Sequence, residues 1–327
     1  MLEGRALVDS KKRVGVAVTG RDSREVLERI QQAEEMGIQA VWLTTGGARQ
    51  DGLTVFAAAA AQTKRILLGT SITPTWPRHP IVVVQQARVI SDLAPGRFRL
   101  GVGLSHEVGM KNVFGVDYHA PLAHLREYLQ ILKSLLQQGK VDYDGKHYHA
   151  HVETGVKLDV PVMAAALRGK AFELCGAEAD GAITWVCPRN YIKEVCVPAL
   201  QAGARRAKRS VPPLIAHAPV CVHDNPNEVL AAMREQMTIY PTLPHYLQMF
   251  VDAGFPEAAE TKTWSDRMVD AVVLHGDESR VKKQFQEMFA CGASEVIVSP
   301  ILAGQDRTAS YQRNIRLVAD VSKDMSK

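Results

Sequence analysis

The sequence predicts an α/β chain folded as one closed (β/α)8 barrel (TIM barrel) with insertions. Three observations carry this. Eight apolar, strand-like runs recur along the chain, with helical stretches between them. Such βα repeats imply parallel strands joined by helical crossovers. The 327 residues suit one barrel domain as well as two smaller domains. No Gly-x-Gly-x-x-Gly follows the first strand, which argues against an open dinucleotide-binding sheet.

The elements follow in order. "RVGVAV" (13–18) reads as the first strand, and "SREVLERIQQAEEMG" (23–37) as an amphipathic helix ending at a glycine. "QAVWL" (39–43) is a strand and "TVFAAAAAQTK" (54–64) an alanine-rich helix. "RILLGTS" (65–71) is the third strand, and "PIVVVQQARVISDLAPG" (80–96) a helix closed by Pro-Gly. "RFRLGVG" (97–103) is the fourth strand. "HLREYLQILKSLLQQG" (124–139) is helical, and "VDYDGKHYHA" (141–150) reads as a hairpin with an Asp-Gly turn. "PVMAAA" (161–166), "AITWV" (182–186), "LIAHAPVCV" (214–222) and "SEVIVSPI" (294–301) complete the eight strands. Helices are read at 169–181, 190–207, 226–240 and 277–292, the last N-capped by Asp277. Residues 241–268 read as irregular. The domain is 1–327, with insertions near 104–119, 139–155 and 239–268.

Composition narrows the function classes. With 46% hydrophobic and 23% charged residues, the chain has the make-up of a soluble globular enzyme. A net charge of +4 is too mild and too dispersed to indicate nucleic acid. Its one basic cluster, at Arg205, Arg206, Lys208 and Arg209, reads as a solvated helix end. Five cysteines without a Cys-x-x-Cys pair suggest reduced thiols in a cytoplasmic protein. No run of about 18 apolar residues calls for a membrane span.

In a (β/α)8 barrel, ligands sit at the carboxyl ends of the strands. There the sequence places Thr44, Thr45, Gly46 and Gly47 after strand two, and Ser71, Ile72, Thr73 and Trp76 after strand three. Gly103, Ser105, His106 and Glu107 follow strand four. Strand five runs into "ALRGKAFEL", where Arg168, Gly169 and Lys170 open a helix. Strand six ends at Trp185 and strand seven near His217. Exposed N–H groups, a glycine and two cations suit a phosphate, though an ordinary βα turn with surface charges has the same letters. His106 and Glu107 could form an acid–base pair, yet neighbours in an extended segment point to opposite sides. "KHYHAH" (146–151) looks like a metal run, but its hairpin setting and lack of nearby acidic partners argue for no metal. A mouth rich in hydroxyls, glycines and tryptophan, with a phosphate seat, suits an organic cofactor that carries the chemistry.

Five stretches carry a resemblance. They are "QAEEMGIQAVWLT" (32–44), "RILLGTSITPTWPRHP" (65–80), "ARVISDLAPGRFRLGVG" (87–103), "ALRGKAFELCGAEADGAI" (166–183) and "GDESRVKKQFQEMFACGASEVIVSP" (276–300). With these the chain resembles the bacterial luciferase-like superfamily, in its coenzyme F420-dependent branch. That branch includes methylenetetrahydromethanopterin reductase and the F420-dependent glucose-6-phosphate dehydrogenases. The resemblance implies a non-prolyl cis peptide at Ser71–Ile72, backing the deazaflavin ring together with Thr73. It implies that Ala165, Ala166, Leu167, Arg168 and Gly169 hold the cofactor phosphate. Gly103, Leu104, Ser105 and His106 would approach the ring and ribityl chain.

The departures are specific. Thr44-Thr45 stands where F420-dependent relatives place an Asp-His pair. His106, with Glu107 next, stands where the sugar-phosphate dehydrogenases carry a glutamate. The catalytic candidates are therefore His106 and Glu107, with Thr44 and Thr45 as hydrogen-bond partners. The resemblance implies hydride transfer between F420 and a small organic substrate. The alternatives are an FMN-dependent monooxygenase and a non-catalytic flavin-binding relative. It also implies a homodimer, formed through residues 51–64 and 80–90.

Overall fold

The computed structural model describes residues 12–325. The chain begins with β1 (Arg13–Ala17), α1 (Ser23–Glu35), β2 (Ala40–Leu43), α2 (Gly52–Gln62) and β3 (Leu67–Thr70). A short continuation, β4 (Thr73–Pro74), precedes α3 (Pro80–Leu93) and β5 (Phe98–Gly103). Next come α4 (Glu107–Phe114), α5 (Pro121–Gln138) and the antiparallel hairpin β6 (Lys140–Asp144) and β7 (His149–Glu153). β8 (Val162–Ala165), α6 (Gly169–Glu178) and β9 (Gly181–Trp185) lead to α7 (Arg189–Tyr191), a π turn at Ile192–Cys196 and α8 (Val197–Arg206). β10 (Leu214–Val222) and α9 (Pro226–Gln236) follow. After a 3-10 turn at Tyr240–Thr242 come α10 (Pro244–Asp252), α11 (Glu257–Thr261) and α12 (Asp266–Val272). β11 (Leu274–Gly276), α13 (Glu278–Ala290), β12 (Glu295–Pro300) and α14 (Arg307–Asp324) complete the chain.

Eight strands close the barrel in the order β1, β2, β3, β5, β8, β9, β10, β12, and β12 returns to β1. Every neighbouring pair is parallel. All eight correspond to the strands expected from the sequence. The outer faces pack under the helices, and side chains fill the inside in layers. The lowest layer is polar. The Arg99 guanidinium forks onto the Glu295 carboxylate at 2.6 and 3.1 Å, and Trp42 Nε1 donates to the same carboxylate at 2.9 Å. The guanidinium also lies 4.3 Å from the Trp42 ring centre. Gly69 makes room for that ring, because a Cβ there would come within 2.5 Å of it. Above lie Met163, Ile183, Ile215 and Ile297, a small apolar plug.

The structure differs from the sequence reading in four places. Residues 241–268 are largely helical, because Pro244 occupies the first turn of α10, where a missing N–H is harmless. The 104–119 insertion contains α4. The C-terminal helix α14 was not read from the sequence; Asp306 caps it, and Ser322 donates to the Val14 carbonyl of β1 at 3.2 Å. Short β11, also unforeseen, pairs with the outer end of β10. Among the described residues, no helix is long and apolar enough to cross a membrane.

Candidate active site

The carboxyl ends of the barrel strands form a mouth. Ala17, Ile72, Leu104, Ser105, His106, Ala165, Trp185 and Ser299 keep partial exposure although they end or follow buried strands. The Ser71–Ile72 peptide is cis, as the resemblance implies. The carbonyl oxygens of both residues are engaged by the end of β2. Thr44 Oγ1 donates to the Ser71 carbonyl at 2.6 Å, and the Thr45 N–H donates to the Ile72 carbonyl at 3.1 Å. The Ser71 N–H donates to the Leu43 carbonyl at 2.7 Å. The Thr45 hydroxyl faces elsewhere and accepts from the Gly52 N–H at 3.0 Å, at the start of α2. These threonines hold backbone.

Ile72 packs directly on β5 and β8. A Cβ on Gly103 would lie 2.9 Å from both the Ile72 and the Ala165 side chains. Only glycine lets these three strand ends meet, and together they make a smooth, uncharged wall. The buried hydroxyls of Ser71 and Thr73 beside it have no protein hydrogen-bond partner.

The expected phosphate seat has a distinct local chemistry. Asp22, Asp51 and Asp306 cap α1, α2 and α14 with their own carboxylates. α6 has no such cap: Arg168 at the N-cap position makes no side-chain cap bond. Among the described residues, the N–H groups of Gly169 and Lys170 have no acceptor. The space around Gly169 is open, with nothing within 4 Å of where a Cβ would stand. Unsatisfied N–H groups and the helix dipole favour an anion there. Ala166 is held by its N–H to the Ile183 carbonyl at 2.9 Å, which fixes Leu167 and the turn that follows. The Arg168 side chain instead reaches Asp252 of α10 at 3.5 Å.

His106 and Glu107 part company. Glu107 is the first residue of α4, is exposed, and pairs with Lys111 at 2.7 Å. His106 turns toward aromatic rings, with centroids 6.0 Å from Tyr240 and 5.8 Å from Tyr246. Burial holds its imidazole below the ordinary histidine range, so it is neutral. The two side chains thus point apart, as neighbours in an extended segment do. Ser105, between the two segments, has φ +57°, a left-handed conformation that costs a non-glycine residue of order 1–3 kcal/mol. Val186, just after Trp185, has φ +49°. Both turns re-aim the chain at the mouth.

Sequence reading placed Trp185 and His217 at strand ends without a role. They touch, with ring centroids 4.3 Å apart, and Trp185 meets Tyr240 at 5.7 Å. The available signal was phase: His217 lies two residues after Ile215, which faces the barrel interior.

The other histidines lie elsewhere. His149 and His151 do have acidic partners, contrary to expectation: Asp144 lies 2.8 Å from His149, and Asp142 lies 2.6 Å from His151, across the exposed hairpin. Among the described residues, no group of three or more potential ligands is placed to hold a metal. Of the basic cluster, Arg206 pairs with Glu173 and Arg209 with Asp180.

The chain is similar to an F420-dependent glucose-6-phosphate dehydrogenase of Beutenbergia cavernae, 34% identical over 207 residues. That match covers 58% of this chain and 60% of the relative. It is similar to a 5,10-methylenetetrahydromethanopterin reductase of Methanolobus tindarius, 24% identical over 293 residues, covering 82% of this chain and 88% of the relative. A solved F420-dependent secondary alcohol dehydrogenase, in complex with an F420-acetone adduct, shares the fold with a TM-score of 0.79 at 17% identity. That match covers 95% of this chain and 98% of the other. The family described as luciferase-like monooxygenase matches residues 7–295, nearly the whole barrel, and the chain belongs to that family.

Proposed function

We propose that the protein is a coenzyme F420-dependent oxidoreductase that passes a hydride between the deazaflavin and a small organic substrate. The observation that carries this reading is the uncapped start of α6 beside the small wall of Ile72, Gly103 and Ala165. One offers N–H groups to a phosphate, and the other a flat surface to a ring. Relatives named as F420-dependent support the choice of cofactor. The residues present fit it. Ala165, Ala166, Leu167, Arg168 and Gly169 would seat the phosphate. Ser71, Ile72 and Thr73 would back the ring, and Gly103, Leu104 and Ser105 would line its edge and ribityl chain.

The cofactor, once bound, supplies the hydride chemistry. The protein's part is to orient and to exclude water. Thr44 and Thr45 fix the bulge behind the ring. Neutral His106 is the better placed of the two acid–base candidates, since Glu107 is tied to Lys111 in solvent. A second copy of the chain would pack on α3, whose Val82, Val89 and Leu93 are 45%, 49% and 47% exposed.

The deciding experiment is fluorescence titration of the purified protein with F420 and, separately, with FMN. Preferential binding of F420 supports the proposal. Preferential binding of FMN replaces it with an oxygen-using flavin enzyme, and binding of neither removes the seat at α6.

A further inference from the structure

Resting on the F420 reading, we propose that the mouth selects a neutral, flat carbonyl compound, or its paired alcohol. Trp185, Tyr240, Tyr246 and His106 would grip it, and His217 would hydrogen-bond its oxygen. Five rings form one continuous arc. It runs from His217 on β10 to Trp185 on β9 at 4.3 Å, then to Tyr240 at 5.7 Å. It continues to Tyr246 on α10 at 5.1 Å and ends at His106 after β5, 5.8 Å from Tyr246. The arc thus links three barrel strands to the inserted segment at the mouth. Aromatic faces recognise flat apolar bodies by area and ring geometry.

The arc holds no charge. Burial keeps both histidines neutral, pushing His217 down to about 3, and keeps the tyrosines protonated. Of the charged neighbours on adjoining segments, Arg168 pairs with Asp252 and Glu107 with Lys111. A sugar phosphate would bring two negative charges to an arc whose own five rings carry no cation. A neutral ketone brings none.

His217 supplies a buried polar handle. It is 6% exposed, and its Nε2 is fully buried with no hydrogen-bond partner among the described residues. A buried polar group left unpaired costs about 1–3 kcal/mol, so it is normally retained for a ligand or a function. Its register puts it level with Trp185 and Ile297, on the interior face above Ile215. A neutral imidazole in that place donates one hydrogen bond and accepts another, as a carbonyl or an alcohol requires in turn.

The test uses acetophenone as the neutral probe and glucose 6-phosphate as the charged one. Binding of each is followed by tryptophan fluorescence, with and without F420, in the native chain and in the variants His217→Asn and His217→Phe. The expected result is acetophenone binding, little or no glucose 6-phosphate binding, and about a tenfold loss in His217→Phe that His217→Asn largely restores. F420 affinity should be the same in all three proteins. Tighter binding of glucose 6-phosphate than of acetophenone overturns the substrate class. Equal acetophenone affinity in native protein and His217→Phe, or equal loss in both variants, overturns the role of His217. Failure of F420 to bind while acetophenone still does removes the cofactor reading and leaves the substrate class standing.

Discussion

The Thr44 hydroxyl lies 2.6 Å from the Ser71 carbonyl oxygen and donates to it, tying the end of β2 to the bulge after β3. This bond gives a structural use to a residue that the sequence offers as a catalytic candidate. Thr44→Val keeps the shape and removes the donor. Thr44 is exposed, so the expected cost in stability is only about 0.5–1.5 kcal/mol. Cofactor affinity should fall several-fold, because the wall at Ile72 loses one of its two fixed carbonyls. Paired thermal melts and F420 titrations would separate these effects. A large drop in melting temperature with unchanged affinity would count against the assignment.

Gly169 permits a cleaner probe of the phosphate seat. Its surroundings are open, so Gly169→Asp should fold normally. Its carboxylate would put a fixed negative charge in the first turn of α6, beside the N–H groups that would meet the phosphate, and so repel it. F420 and FMN should both bind at least tenfold more weakly, whereas riboflavin, which lacks the phosphate, should be unaffected. Equal weakening of riboflavin would mean that the variant acts on the ring pocket instead.

The barrel was legible because parallel strands are buried on both faces and read as continuous apolar runs, as "RILLGT" and "LIAHAPVCV" do. The third and seventh strands stood out for that reason. α14 was not legible, because its buried face includes Ser310, Asn314 and Ser322, which interrupt the apolar period. α10 was hidden by prolines that read as breakers. Within the site, the run of small residues after strand five was visible in the letters, but the partners of Thr44 and Thr45 depend on β3 lying beside β2. The separation of Glu107 from His106 had a local sign, the Glu107–Lys111 spacing of one helical turn.

Acid should destabilise the protein earlier than its carboxylates alone would dictate. Burial lowers His217 to about 3 and His124 to about 4, and it lowers His106 and His275 as well. Unfolded imidazoles titrate near 6.5. Below that pH the unfolded chain binds protons that the native chain refuses. This stability is therefore fully present above pH 6.5 and is lost as pH falls toward 4 and 3. Each buried histidine contributes a slope of up to ~1.4 kcal/mol per pH unit. Exposed His151, raised by its bond to Asp142, acts in the opposite sense. Urea midpoints measured from pH 7 to 5 should fall steadily, and a His124→Asn/His217→Asn variant should flatten the curve. An unchanged slope would rule out this origin.

On α3, Val82, Val89 and Leu93 leave a half-exposed apolar stripe spaced by about two turns and one turn. A homodimer would cover it. Val89→Glu places a charge in the middle of that face without touching the barrel core. Light scattering should report a dimer for the native chain and a monomer for the variant, with similar melting curves above the association range. A native chain that is monomeric at high concentration would remove this interface.

The polar floor of the barrel makes the sharpest stability prediction. Arg99 and Glu295 are 7% and 4% exposed and meet through two hydrogen bonds. Glu295→Gln keeps an oxygen for Trp42 but leaves the Arg99 cation buried without its counter-charge. Removing one partner of such a pair costs about 3–5 kcal/mol. Arg99→Met/Glu295→Gln removes both charges, keeps an acceptor for Trp42 Nε1 and leaves no ion to solvate. Replacing a buried pair by well-packed neutral groups is often close to neutral. The double variant should therefore be more stable than the single one, by an amount that urea unfolding resolves easily. If the double variant is the less stable, the guanidinium contributes chiefly through its packing on the Trp42 ring, and the floor is held by that contact rather than by charge balance.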